Sequence, residues 1–478
     1  MMDLERLVAA LGADEVVGAA PVEVRDLAYD TRAVTPGALF FCVPGAKADG
    51  HDFAPEAVAN GAVALVVERP LEPAVPQVVV PDARAAMAVA ADEFYRRPTE
   101  ELQVAGVTGT SGKTTTCFLL FAILAAAGRR PGLLGTVEAR VGGERRGVLR
   151  TTPEAIDLQR TFREMLDAGD RSCAMEASSH ASQLHRLDRV RFAVLVFTNL
   201  SQDHLDFHGD MESYFQAKRR LFADDVPAVV NTGDEWGLRL AAELPGATTF
   251  NAGDASALAG IDLKLRGRFN VENALGALAA ARLLGIDDDA IARGLESVRG
   301  VPGRFEAVDE GQAFDVIVDY AHKPDALENV LRAARELARG RVISVIGAGG
   351  DRDRGKRPIM GRIASELADV TIVTSDNPRS EDPQAIIDEI VGGTEGRRAG
   401  KAGTAFGRNR KRFLRGDVEV EPDRAVAIAR AIELAGDGDV VLIAGKGAEQ
   451  GQQFADRTIP FDDRKAARDA LRALGARA

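Results

Sequence analysis

The segment Gly109-Thr110-Ser111-Gly112-Lys113-Thr114-Thr115 constrains this chain more than any other, because of what stands on either side of it. LQVAGV (102–107) precedes it, an apolar run rich in β-branched residues. CFLLFAILAAAG follows as an apolar helix ending at Gly128. Strand, glycine-rich loop and helix in that order specify a parallel α/β unit. The glycines let backbone N–H groups turn inward and cradle phosphate oxygens. Lys113 suits β- and γ-phosphates, and the Thr114 hydroxyl suits Mg2+. The common form of this loop has a glycine six residues before the lysine. Val107 stands there, with Gly106 beside it, so the loop is a variant. Such a loop serves kinases, switches, motors and ligases alike, so it names no reaction.

Length and pattern divide the remainder. At about 150 residues per domain, 478 residues imply roughly three. The first block, 1–100, carries strand-like LFFCV (39–43) and VALVV (63–67) around a helical PEAVANGA. The second, 101–300, adds the buried strand RFAVLVFTNL (191–200) and the helix NVENALGALAAARLLG (270–285) to the phosphate loop. In the third, 301–478, FDVIVDY (314–320), RVISVIG (341–347), DVTIVTS (369–375) and DVVLIAG (439–445) alternate with helical stretches. That alternation predicts a second doubly wound sheet. Residues 392–422 are rich in Gly and Arg with little periodicity, and read as a mobile solvated insertion.

A net charge of -12 argues against wrapping nucleic acid, which needs a basic face. It leaves small anionic ligands open, since a local pocket can be positive on an acidic chain. Cys42, Cys117 and Cys173 are odd in number and scattered, so a disulfide framework is not expected and a reducing cytoplasm is. The acidic start is not that of a signal peptide, and no apolar run is long enough to insert in a bilayer.

Two further segments carry metal-binding residue types. Glu176 sits in MEASSH, and His204 sits in NLSQDHLD just past a strand. Ligands of open α/β sheets gather at such strand ends. Imidazole is an unusual partner for Mg2+, which prefers oxygen. On spacing alone, a capping acid and a loop histidine is the plainer reading. Lys218, in the amphipathic MESYFQAKRRLF, reads by itself as part of a solvated face.

The order TGTSGKTTT, MEASSH, TNLSQDHLDFHG and AKRRLF, continued by GRFNVENALGA, VPGRFE, DYAHKPDAL, GGDRDRGKRP and DNPRSEDP, resembles the Mur ligases over about residues 25–460. The resemblance implies three α/β domains: a small N-terminal one that binds UDP, a central P-loop ATPase with a parallel sheet, and a C-terminal Rossmann-like one that delivers an amino acid. It implies ATP-dependent addition of meso-diaminopimelate to UDP-N-acetylmuramoyl-L-alanyl-D-glutamate through an acyl phosphate, for cell-wall synthesis. The same ligation with L-lysine is the alternative. The implied enzyme is a cytoplasmic monomer with no nucleic-acid or membrane partner.

By the same resemblance, residues 109–115 and Asn270, Asn273 and Asp319 bind ATP, and Arg304 reaches its γ-phosphate. Thr114 serves one Mg2+. A carbamylated Lys218 holds a second with Glu176 and His204, the carbamate supplying the hard oxygen that imidazole lacks. Lys113, Lys218 and Arg304 are the implied catalytic residues. Tyr29, Thr31, Ala46, Lys47, Ala48, Thr151, Thr152, Ser178 and Arg186 fall on UDP-substrate positions, with Leu184 where the family often has Gln. Arg352, Asp376-Asn377-Pro378-Arg379, Gly445 and Glu449 fall on the diaminopimelate positions, with Ala448 replacing a usual His. A guanidinium at Arg379 can pair with the distal carboxylate of diaminopimelate, which lysine does not have. Lysine would leave that guanidinium unpaired, a mismatch that binding sites reject strongly.

Overall fold

A computed structural model describes residues 1–478 apart from 14, 19–20, 46–47, 73–74, 223–224, 395–398, 402–415 and 476–478. Three sheets organise it. The N-terminal sheet has five strands, and its middle is the parallel trio Ala38–Phe41, Ala62–Val67 and Gln77–Val79. Among the described residues the central sheet has eight strands and the C-terminal sheet seven.

In the central sheet, Gln103–Thr108 lies between Ser172–Glu176 and Phe192–Phe197, parallel to both. The three strands are covered on both faces, which is why they read as continuous apolar runs. Parallel neighbours also end at the same edge. The phosphate loop, Glu176 and residues 198–204 therefore emerge side by side. The helix Lys113–Ala126 packs against Arg268–Leu283 and Asp288–Ser297. Its Leu119, Leu120, Ile123 and Leu124 are fully buried, which seats the loop on a rigid base.

The four strands expected in the third block are present as Asp315–Asp319, Val342–Ile346, Val370–Val373 and Val440–Ala444. They stand in the sheet as Asp315–Asp319, Val440–Ala444, Val342–Ile346 and Val370–Val373, all parallel.

The expectation of a mobile solvated insertion over 392–422 needs correction at both ends, for Gly392 ends the helix Pro383–Gly392 and Thr394 is buried. Asp417–Val420 is a buried strand, parallel to Val370–Val373. Ala399–Lys401 adds an edge strand, while 395–398 and 402–415 lie outside the described residues. Alternating acids disguised the strand DVEV. Glu419 is fully buried, but Arg430 neutralises it at 3.1 Å, so a charged residue occupies a core position. Among the described residues no helix is long and apolar enough to cross a membrane.

Candidate active site

A cavity of about 1360 Å3 opens where the central and C-terminal sheets present their loops to each other. Thr110 to Thr115 form its floor. Gly109 adopts φ 146°, and a side chain there would strike Thr198 Oγ1, so only glycine fits. Asn199 Oδ1 accepts the Ser111 N–H at 2.9 Å, and Thr198 Oγ1 donates to the Ser111 carbonyl at 2.6 Å. The neighbouring strand thus holds the loop open.

Two lysines converge behind that loop. Lys113 Nζ donates to the Gly109 carbonyl at 3.0 Å and Lys218 Nζ donates to the same oxygen at 2.9 Å. Burial, then the nearby positive Lys323, lowers the Lys113 amine to about 8. Burial, then the charges of Lys113 and Lys323, holds Lys218 well below the usual lysine range. Lys218 is 1% exposed and lies 4.6 Å from the Tyr214 ring centroid. Its reading from the residues alone as a solvated side chain is therefore overturned. The Lys-Arg-Arg run hid this, because only its first member faces inward.

Thr114 Oγ1 donates to Glu176 Oε1 at 2.9 Å, and Arg304 Nη2 donates to Thr114 Oγ1 at 3.0 Å. Arg304 belongs to the segment that enters the C-terminal sheet, and its guanidinium lies 4.3 Å from the Tyr320 ring centroid. The chain of contacts from Arg304 to Glu176 crosses the gap between the two sheets. A second crossing is Lys323 to Asp203 at 2.6 Å, and a third is Ser201 to Asp325. Asp203, Lys323 and Thr136 received no role from the sequence. Thr136 binds both Glu176 oxygens, through its N–H at 2.7 Å and its hydroxyl at 3.1 Å. DHLD and DYAHKP contained the first two, but nothing local in the sequence marks Thr136.

Among the described residues no group of three or more His, Cys, Asp and Glu side chains clusters as a metal cage. The Thr114–Glu176 pair still suits Mg2+, which takes one or two protein oxygens and completes its shell with water and substrate phosphates. His204 lines the cavity, with its ring 6.2 Å from Tyr214, the residue that Lys218 touches from behind.

Of the expected nucleotide contacts, Asn273 and Asp319 line the cavity. Asn270 is not on the lining; its Oδ1 accepts Asn273 Nδ2 at 3.0 Å and fixes that amide. Asp319 accepts the N–H groups of Phe305 at 2.6 Å and Ala321 at 2.7 Å. Burial pushes its carboxyl up to about 6 against those bonds and the Arg304 charge. Thr151, Thr152, Ser178 and Arg186 also line the cavity. Thr152 Oγ1 donates to the Glu176 carbonyl at 2.7 Å, and Arg186 donates to the Thr152 carbonyl at 3.1 Å. The N-terminal UDP candidates are not on this lining. Tyr29 donates to Asp157 at 2.7 Å, Thr31 is half-buried, Ala48 is exposed, and Ala46 and Lys47 are outside the described residues.

The amino-acid candidates form a neighbouring cluster, and only Arg352 of them lines the cavity. Asn377 Nδ2 donates to Glu449 at 2.8 Å. Lys446, which the sequence reading passed over, donates to Asn377 Oδ1 and Glu449 Oε2, each at 2.9 Å. Arg379 follows Pro378 at φ 53°, and its Nη1 donates to the Gly350 carbonyl at 2.6 Å. The cluster leans on the Arg304 segment. Gly303 packs so closely on Gly447 and Ala448 that a side chain there would meet the Ala448 nitrogen at 2.0 Å.

Known proteins share this architecture. Three family models match: Mur ligase family, catalytic domain, over residues 23–95; Mur ligase middle domain over 107–259; and Mur ligase, glutamate ligase domain, over 303–447. UDP-N-acetylmuramoyl-L-alanyl-D-glutamate–2,6-diaminopimelate ligase of Solibacter usitatus is 45% identical, with 95% of each chain covered. The protein of that name from Geobacillus thermodenitrificans is 46% identical, covering 93% of this chain and 94% of its own. A solved structure of a ligase so named superposes with a TM-score of 0.63 at 30% identity, covering 96% of this chain and 97% of the other. The MurF ligase of Thermotoga maritima in complex with ADP, at 20% identity, shares the fold with a TM-score of 0.60 over 95% of this chain and 99% of its own.

Proposed function

The chain belongs to the Mur ligase family, and on that premise we propose that it is an ATP-dependent peptide-forming ligase adding meso-diaminopimelate to UDP-N-acetylmuramoyl-L-alanyl-D-glutamate. The observation that carries this reading is the 3.0 Å contact from Arg304 to Thr114. It sets a cation from the amino-acid side directly on the phosphate loop.

A carboxylate is a poor acyl donor, so the glutamyl carboxylate first attacks the γ-phosphorus of ATP. An O–P bond forms, the bond to the ADP oxygen breaks, and an acyl phosphate results. Both partners are anions, and the step needs positive charge placed in advance. Lys113, the loop amides and Arg304 supply it. Thr151, Thr152, Ser178 and Arg186 orient the nucleotide-linked acid. The amine of diaminopimelate then attacks the carbonyl carbon, phosphate leaves and a proton is lost from nitrogen. Glu449 faces the amine, and Arg379 and Arg352 pair with carboxylate oxygens of the amino acid. Lobe closure keeps water from the acyl phosphate.

Mg2+ at Thr114 and Glu176 would neutralise charge developing on the transferred phosphoryl group. Lys218 is suited to carbamylation: its buried amine is biased to the neutral form, which adds CO2 with loss of a proton. The carbamate, with Glu176 and His204, would be the oxygen-bearing half of a second Mg2+ site. We place the enzyme in the cytoplasm as a monomer, where its three free, buried cysteines would stay reduced.

The test is phosphate release from ATP and Mg2+ with each substrate present or withheld. Release should require the nucleotide dipeptide and diaminopimelate together, with the tripeptide product formed in equal amount. Release indifferent to the amino acid would overturn the assignment.

A further inference from the structure

Two arginines are among the largest fully buried side chains, and neither touches the cavity. One of them, Arg424, opens the helix Arg424–Leu434 beneath the loops of the C-terminal sheet. Its Nε and Nη2 pair with both oxygens of Asp463 at 2.7 Å, and both side chains are 0% exposed. Asp463 opens the helix Asp463–Gly475. Balancing a buried charge explains the pair; it does not explain where the remaining donors go.

Nη2 also donates to the Ala444 carbonyl at 3.0 Å, and Nη1 to the Ser375 carbonyl at 3.5 Å. Ala444 is the residue before Gly445, and Ser375 is the residue before Asp376. One guanidinium therefore holds the last carbonyl ahead of each half of the amino-acid cluster. These halves follow the strands Val370–Val373 and Val440–Ala444, which are not neighbours: Val342–Ile346 runs between them. Both strands are laddered to that middle strand, but beyond their ends the two loops are joined by side chains, Asn377 to Glu449 and Lys446 to Asn377, and by the Arg379 N–H to the Gln453 carbonyl, with Arg424 beneath. Arg352 lies on the loop after that intervening strand and lines the cavity.

We infer that Arg424, anchored by Asp463, is a positioning residue for amino-acid selection, fixing the distance between the Asp376–Arg379 and Gly445–Glu449 segments. This rests on the assignment of diaminopimelate to that cluster. The planar fork is what the role requires, because one rigid group reaches a carboxylate and two carbonyls together. A lysine at 424 would keep the charge opposite Asp463 and lose at least one tether.

The experiment compares Arg424→Lys, the double variant Arg424→Met/Asp463→Val, and Arg379→Ala with wild type. Thermal unfolding and KM for ATP and for meso-diaminopimelate are measured on each. The double variant removes both buried charges, so its folding does not depend on an unpaired carboxylate. We expect Arg424→Lys to unfold at a lowered temperature but stay folded at the assay temperature, and to raise the diaminopimelate KM at least tenfold, with the ATP KM within twofold. The double variant should show the same split. A purely structural role would lower kcat through loss of folded enzyme and leave both KM values alone. That result, or a parallel rise in both, overturns the inference. If Arg379→Ala also leaves the diaminopimelate KM unchanged, the site assignment itself has failed. If Arg379→Ala raises it and the Arg424 variants do not, only the positioning role has failed.

Discussion

The phosphate half and the amino-acid half of this cleft are built differently. The phosphate half hangs from three adjacent parallel strands, so backbone ladders place Gly109, Glu176 and Thr198. The amino-acid half also hangs from three parallel strands side by side, Val440–Ala444, Val342–Ile346 and Val370–Val373, but side chains such as Arg424, Lys446 and Arg379 hold the loops beyond them. A phosphate is much the same in every nucleotide, so a rigid backbone cradle suffices for it. Discrimination between two diamino acids turns on one carboxylate, and side chains can be placed for that. On the proposed assignment, the chemistry common to nucleotides sits close to the sheet and the selective chemistry on loops tied by side chains.

The comparison breaks most visibly in the phosphate half. Lys218→Ala should cut turnover by about 10³-fold or more, unrescued by bicarbonate, while nucleotide binding persists. Wild-type turnover in that variant would end the carbamate reading. Arg304→Ala should lose about 10²–10³-fold in kcat with thermal unfolding unchanged, since one preorganised donor is removed. An effect on ATP affinity alone would place Arg304 in binding instead.

A pH experiment sharpens the boundary between the halves at Asp319. Its folded carboxyl titrates at about 6, above the usual value, so the native state binds its proton more tightly than the unfolded state. The resulting stabilisation is complete below about pH 4 and disappears as pH rises through about 6. Relative to Asp319→Asn, wild type should lose about 2–3 kcal/mol between pH 4 and pH 7 in denaturant titrations. Parallel curves for the two proteins would contradict the buried-carboxyl account. The smallest effect is in the amino-acid half. Lys446→Met should raise the diaminopimelate KM about tenfold and leave the ATP KM alone, by freeing Asn377 and Glu449. Equal shifts in both would mean the cluster and the cavity are one unit.

What the sequence disclosed follows the same division. The phosphate loop was readable because glycine spacing and flanking apolar runs are local features. Strands buried on both faces, such as Phe192–Phe197, were readable from continuous apolar stretches. Asp417–Val420 was not, because Glu419 interrupts its apolar pattern and is neutralised by Arg430 on the following helix. Lys218 and Arg424 show charge in the sequence and lie in the interior, and burial that depends on tertiary partners leaves no local trace. Thr136 was invisible for the opposite reason: an ordinary threonine becomes part of the site only because Glu176 stands on the next strand. The motif resemblance drew attention to Asp376–Arg379 but not to Lys446 or the arginine beneath them.

The most direct measurement is kcat/KM for meso-diaminopimelate and for L-lysine, in wild type and in Arg379→Ala. Wild type should favour diaminopimelate by about 10³-fold or more, because lysine leaves a guanidinium without its carboxylate. In Arg379→Ala that preference should shrink by at least about tenfold. Equal rates with both amino acids in wild type, or an undiminished preference in the variant, would contradict the claim that this cluster reads the distal carboxylate.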